Sequence, residues 1–253
     1  MADIGKIFPF KWCRLGWGES LTHLLWPRLC LNCQSPLVCN TPLCPSCAEQ
    51  LMQVTGGSFC PRCGMQVSSW AVIEGACPQC LGRELRFERL LCCGIYDGPL
   101  RQMIVALKKG QSELAPFLGH LMQAVCMGAV LEQHCDVLVP VPLHWTRQWW
   151  RGYNQTQLLA KEVGFPIYPV LKRVRRTPIQ PGMTTWAARK RNVKGAFALK
   201  VGKDNLKGLK VCLVDDVKTS GATLDECARI LRQAGVASVW ALVLAVAGSG
   251  GSR

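Results

Sequence analysis

The sequence predicts an α/β fold: a parallel sheet flanked by helices, preceded by a small cysteine-rich head that binds metal. Three observations carry that reading. Four C-x2-C pairs fall within the first 80 residues. Beyond about residue 88, short apolar runs alternate with stretches of helical period. One such run, 210–214, leads into two acids and a small-residue turn, a ligand-binding arrangement at the carboxyl end of a strand.

Composition sets the outer limits. The chain has 253 residues, enough for one large domain or two ordinary ones. Apolar residues are 49% and charged residues 18%, which excludes a wholly disordered or fibrous protein. Lysine plus arginine is 30 against 16 acids, so the net charge is 30 − 16 = +14. A chain this basic is expected to meet a polyanion.

Residues 1–27 are an aromatic lead-in carrying Trp12, Trp17 and Trp26, with a short helix expected over 20–25. Its start, MADIGKIFPFKW, lacks a charged segment, apolar core and cleavage site, so no signal peptide is read and a cytoplasmic location is expected. Thiols there stay reduced, which favours metal over disulfides.

The head spans 28–84. Its pairs are Cys30/Cys33, Cys44/Cys47, Cys60/Cys63 and Cys77/Cys80. Two intervening residues let one turn place both sulfurs on one ion, and two pairs complete a closed tetrahedral shell. Four pairs therefore predict two structural zinc ions. Sequential pairing needs the shortest loops and is preferred, although spacing alone also admits interleaving. Cys39 is an alternative ligand for the first site. Gly64 suits a tight knuckle turn. The segment RELRFER, 83–89, reads as a polar connector.

The second domain spans 88–247. Strands are expected at 90–96, 136–141, 167–171, 210–214 and 238–247. Helices are expected at 99–109, 114–133, 154–163 (capped by Asn154) and 222–233 (stopped by Gly235). Residues 114–131 hold no Asp, Glu, Lys or Arg, but Pro116, Gly119, His120, Gln123 and Gly128 argue for a packed globular helix rather than a membrane span. Residues 248–253 read as a flexible tail. The four histidines are scattered, and none is read as a ligand.

The acidic turn is the sharpest motif. Asp215 and Asp216 suit the vicinal hydroxyls of a sugar. Thr219, Ser220, Gly221, Ala222 and Thr223 offer amides, hydroxyls and a helix N-terminus to a phosphate. Together they describe a ribose 5-phosphate site. Three basic clusters lie in the same domain: Arg147/Arg151, Lys172/Arg173/Arg175/Arg176, and Arg189/Lys190/Arg191/Lys194. Trp145, Trp149, Trp150 and Tyr153 interleave the first and Trp186 precedes the third. Cations beside flat rings suit single-stranded nucleic acid, and Arg147, Trp149, Trp150, Arg189, Lys190 and Arg191 are the candidate contacts.

The stretch VCLVDDVKTSGATL, 211–224, resembles the phosphoribosyl-pyrophosphate (PRPP) motif of type I phosphoribosyltransferases, except at Lys218, where an apolar or aromatic residue is more usual. HLLWPRLCLNC, VPVPLHWTRQWWRGYNQTQLLAKEV, the 106–109 segment ALKK, and RKRN leading to GAF at 195–197 resemble the ComF/GntX family of competence and phosphoribosyltransferase-like proteins. The match runs over 23–247. It implies a type I phosphoribosyltransferase-like domain behind a double zinc ribbon, with Arg151 and Gly152 as a pyrophosphate loop. It also implies single-stranded DNA, a DNA-import helicase and the membrane uptake machinery as partners, placing the protein in the cytoplasm or peripherally at the inner membrane face.

Three functions stay open at this stage. One is handling of imported single-stranded DNA during natural transformation, with a retained PRPP site. The second is a phosphoribosyltransferase using PRPP and Mg²⁺ through an oxocarbenium-like centre, with Asp215, Asp216 and Arg151 at the reacting sugar and the acceptor unidentified. The third is a zinc scaffold whose pocket senses a nucleotide.

Overall fold

A computed structural model describes residues 28–37, 41–80, 82–177, 186–200 and 203–248. The 1–27 extension, Cys39 and the tail from 249 lie outside them.

The main sheet has four parallel strands in the order β1-β6-β5-β2: β1 (Arg89–Ile95), β2 (Val137–Pro140), β5 (Lys210–Lys218) and β6 (Ser238–Val246). The central strands β5 and β6 are apolar on both faces, as burial under helices requires. Helices α2 (Gly98–Lys108), α3 (Ala115–Gly128) and α5 (Gln155–Lys161) cover one face, and α7 (Ala222–Gln233) covers the other. Helix α2 buries Leu100, Met103, Ile104 and Leu107 at helical spacing. Each such burial contributes about 1.5–3 kcal/mol. Asn154 caps α5 by accepting from the Thr156 amide, as its residue type predicts.

Helix α3 packs closely on α5. A Cβ at Gly119 would overlap Glu162, so this glycine permits the approach. The expected helix over 114–133 is shorter, because Val130 turns left-handed (φ 53°) after Gly128 and a 3-10 turn, Leu131–Gln133, follows. The break drives Leu131 fully into the core. Among the described residues no helix is long and apolar enough to cross a membrane.

The expected strand at 167–171 is also corrected. Pro166 and Pro169 lack the donors a ladder needs, so Ile167 makes a single parallel bridge to Leu138. The chain then forms β3 (Leu171–Arg173), which pairs antiparallel with β4 (Phe197–Leu199) in a separate two-stranded ribbon. Three helices were not expected: α1 (Pro45–Thr55) in the head, α4 (Trp145–Arg151) and α6 (Trp186–Val193).

The head does not hang from a polar connector. Phe87 is fully buried against the α7 face, and Arg86 pairs with Asp225 at 2.8 Å. Leu37, Leu43, Ala48 and Leu51 of the head join the core of the α2/α3 face. Residues 60–80 keep a small core of their own.

Candidate functional site

The cysteine pairs combine sequentially. The sulfurs of Cys30, Cys33, Cys44 and Cys47 lie within 4.8 Å of one another, and so do those of Cys60, Cys63, Cys77 and Cys80. Four convergent thiols on two knuckles fit a zinc ion in each cluster, held structurally with no open position. The knuckles supply donors: the Cys44 amide meets Cys30 Sγ at 3.3 Å. At Cys60 burial raises the thiol pKa, but the amides of Cys63 and Arg62 outweigh it and bring it to about 7. Gly64 takes φ +72° with Leu90 where a Cβ would stand, which accounts for the glycine. The clusters differ in exposure. Cys33 is exposed, whereas all four ligands of the second cluster are buried.

The second site forms at the carboxyl end of β5. The strand continues past the expected 214 and carries both acids up to Lys218. Neighbouring strand residues face opposite sides, and the partners differ accordingly. Asp216 is buried and accepts from Gln155 Nε2 at 2.7 Å and Lys108 Nζ at 3.1 Å. Arg151 donates to Gln155 Oε1, so the guanidinium stands one residue from that carboxylate. Asp215 is half-buried, and one oxygen accepts the Asp216 amide at 2.9 Å. Burial, then the second carboxylate, pushes Asp215 up to about 7. Arg173 lies near enough to oppose that rise, and its Nε is a buried donor with no partner among the described residues. Burial and then Arg147 lower Arg173 itself.

The turn after the acids holds a left-handed Gly221 (φ +83°) as the start of α7, and Ser220 Oγ accepts from the Ala222 amide at 3.3 Å. Thr219 is exposed, Ser220 and Thr223 half-buried, and Gly221 and Ala222 buried. Lys218 is buried, and its stem lies against Gly221, with Cε 3.4 Å from where a Cβ would stand. Sequence reasoning named Asp215, Asp216, Arg151 and the turn. It did not place Lys108, Gln155 and Arg173 beside them, because three separate elements deliver those residues and no local spacing links them.

Helix α4 buries none of its residues. Trp145, Trp149 and Trp150 are 69%, 77% and 84% exposed, and the last two meet edge to face at 6.1 Å. His144 caps its start through Nδ1, and Gly152 ends it in a left-handed turn. Arg147 and Arg151 share the helix, so one short element carries an aromatic outer surface and a cation at the acid pair. Tyr153 is an anchor, its hydroxyl donating to the Leu107 carbonyl.

The third basic cluster sits on α6. Lys190 is committed to the fold: it lies 4.4 Å over the Trp186 ring and 3.3 Å from buried Asp225. Arg191 is exposed. Arg175 donates to the Asn192 and Lys194 carbonyls at 2.8 and 2.9 Å, closing the carboxyl end of α6.

Comparison with known proteins agrees with the head and with the whole chain. The family model described as double zinc ribbon domain matches residues 21–94. The chain is 32% identical over 228 residues to competence protein F of Haemophilus influenzae, covering 85% of this chain and 96% of that one. It is 34% identical over 228 residues to the DNA utilization protein YhgH of Salmonella typhimurium, with the same coverage. Competence protein ComFC of Bacillus subtilis is 27% identical over 203 residues, 78% of this chain and 80% of that one. Among solved structures, glutamine PRPP amidotransferase from B. subtilis overlaps 58% of this chain at 23% identity and a TM-score of 0.33, the matched part spanning 28% of that longer chain. Two cysteine clusters on a double ribbon, an acidic strand end facing a glycine turn, and relatives matched over nearly their whole length place the chain in the ComF/GntX family.

Proposed function

We propose that the protein handles single-stranded DNA during DNA uptake and holds a ribose 5-phosphate ligand of the PRPP class beside the DNA surface. The observation that carries this reading is helix α4. Three tryptophans on one seven-residue helix are largely exposed, and they stand beside Arg147 and Arg151. Rings that stack bases next to cations that track phosphates are what a strand of any sequence requires. The names of the relatives, competence and DNA utilization, point the same way.

The pocket supports the ligand. Asp215 keeps one oxygen for a sugar hydroxyl, while Asp216 is already held by Lys108 and Gln155. The 219–223 turn would take the 5-phosphate. Arg151, with Arg173, whose Nε has no partner among the described residues, would take a pyrophosphate, whose Mg²⁺ would arrive with it. The partners proposed from the family are the import helicase and membrane uptake machinery on the cytoplasmic side.

A second reading, a Mg²⁺-dependent phosphoribosyltransferase, is favoured by the closeness of Arg151 to the acid pair. One titration series separates the readings. PRPP–Mg²⁺ and a single-stranded oligonucleotide are added separately and together, with pyrophosphate release followed. Salt-sensitive strand binding without pyrophosphate supports the first reading. Pyrophosphate release without strand binding overturns it in favour of the second.

A further inference from the structure

We propose that Gln155 is a positioning residue: its buried side-chain amide seats helix α4 and aims Arg151 at the acid pair, so that the strand surface and the ribose-phosphate pocket share one tether. Helix α4 buries none of its residues, so core packing does not hold it. Its carboxyl end turns away at Gly152, which is exposed, left-handed (φ +78°) and open on the side where a Cβ would stand. Arg151, the last residue of the helix, crosses to the domain and donates to Gln155 Oε1 at 2.5 Å.

The receiving side of that bond is rigid. Gln155 opens α5 and is 3% exposed. Its neighbours pin it beyond the end of β2: Asn154 Nδ2 and Thr156 Oγ1 both donate to the Val141 carbonyl, at 3.3 and 2.7 Å. The amide has one workable orientation. Its Nε2 donates to Asp216 Oδ2 at 2.7 Å, the oxygen that Lys108 Nζ also approaches at 3.1 Å. A carboxylate offers acceptors and a guanidinium offers donors, so a reversed amide would lose both bonds. Its oxygen is left for Arg151, and a buried oxygen without a donor is costly. The guanidinium keeps further N–H groups for a ligand. The tether therefore holds Arg151 at the pocket without using it up, and with it the helix that carries Trp149 and Trp150. Such preorganisation lowers the cost of binding at either place. The affinity effects rest on the strand and PRPP readings above; the tether does not.

The test compares the zinc-loaded full chain as wild type and Gln155→Met. Methionine keeps the length of the side chain and removes both hydrogen bonds. Hydrogen exchange over 145–151 is followed beside the affinity for a single-stranded oligonucleotide, with and without saturating PRPP–Mg²⁺. Gln155→Met is expected to raise the exchange and to weaken strand binding about tenfold, the scale of one hydrogen bond to a charged group. Gln155 is too buried to touch a strand, so that loss reports the seating of the helix. Saturating PRPP–Mg²⁺ is expected to recover it, because a pyrophosphate held by Arg151 replaces the missing tether. A merely structural role would lower melting without making strand affinity depend on PRPP. Folded Gln155→Met with wild-type exchange or wild-type strand affinity overturns the proposal, and so does a strand loss that bound PRPP leaves unchanged. Should methionine prevent folding, Gln155→Asn, too short to span Arg151 and Asp216, carries the same comparison. Wild type that binds no PRPP or no strand overturns the corresponding reading, and the exchange then decides the tether by itself.

Discussion

Asp225, in the first turn of α7, receives both the backbone amide and the guanidinium of Arg86 at 2.8 Å, across 139 positions of sequence. Lys190 approaches the same carboxylate at 3.3 Å. One carboxylate, 1% exposed, thus ties the 83–89 segment, α6 and α7 together.

That arrangement predicts a measurable penalty on removing the acid. Asp225→Ala takes the carboxylate from two cations that stay partly solvated, so it should cost about 1–3 kcal/mol, the scale of losing charge-assisted bonds. Chemical denaturation measures it. A loss below about 1 kcal/mol, the value of an exposed pair, would show that the contact is a surface one.

Two zinc ions per chain are expected, and they should leave unequally. Exposed Cys33 opens the first cluster to a chelator, while the second is closed on all sides. Elemental analysis should give two ions, and chelator kinetics two phases. Cys33→Ser should abolish the faster phase alone, whereas Cys60→Ser should unfold its ribbon, because structural zinc contributes folding free energy directly.

Asp215 gives a pH signature. Its folded pKa, about 7, lies above the ordinary value of 3.8. The native state therefore holds a proton the unfolded state has lost, and stability falls as pH rises from about 4 to about 7. Asp215→Asn should flatten that fall and raise the melting temperature at pH 8 relative to wild type. It should also weaken PRPP by about 1–3 kcal/mol, the scale of one charge-assisted bond. A variant with unchanged pH dependence would mean that Asp215 is solvated and ionised throughout. The Asp215→Asn/Asp216→Asn double variant should keep its zinc and its strand affinity.

Strand binding should separate charge from stacking. Affinity should fall with salt at a slope of roughly −0.7 per neutralised phosphate, and Arg147→Gln with Arg191→Gln should reduce that slope. Trp149→Ala or Trp150→Ala should instead cost about 1–3 kcal/mol at every salt concentration. Both rings are exposed, so melting should not change. Unaltered affinity in the double tryptophan variant would remove α4 from the DNA surface. Lys190→Gln is the contrasting case, expected to lower melting through its loss from Asp225.

Much of this was legible in the sequence for identifiable reasons. The C-x2-C pairs are local geometry, so they survive into the fold unchanged. Helix α7 matches its expected bounds because its apolar period, Gly221 and Gly235 all agree. Helix α4 escaped because it buries nothing and so has no apolar period to read. The break at Val130 escaped because a β-branched residue gives no warning of a left-handed turn. At the site, the acids were visible as neighbours in sequence. Their partners Lys108 and Gln155 were not, since 108 and 61 positions of chain separate Lys108 and Gln155 from Asp216 only in number, and the sheet alone brings them together.

Strand β1 ends the main sheet on one side, and the head lies along it. On that edge the Pro61 carbonyl takes the Leu90 amide at 2.9 Å, while on the adjoining face the Val54 carbonyl packs against Gly94, where no side chain would fit. The zinc ribbons thus act as a cover for an open strand edge. A chain stripped of metal would present that edge, with its apolar neighbours, to a second copy, and an unpaired edge is a template for aggregation. Metal supply during synthesis would then govern solubility before it governs any binding activity.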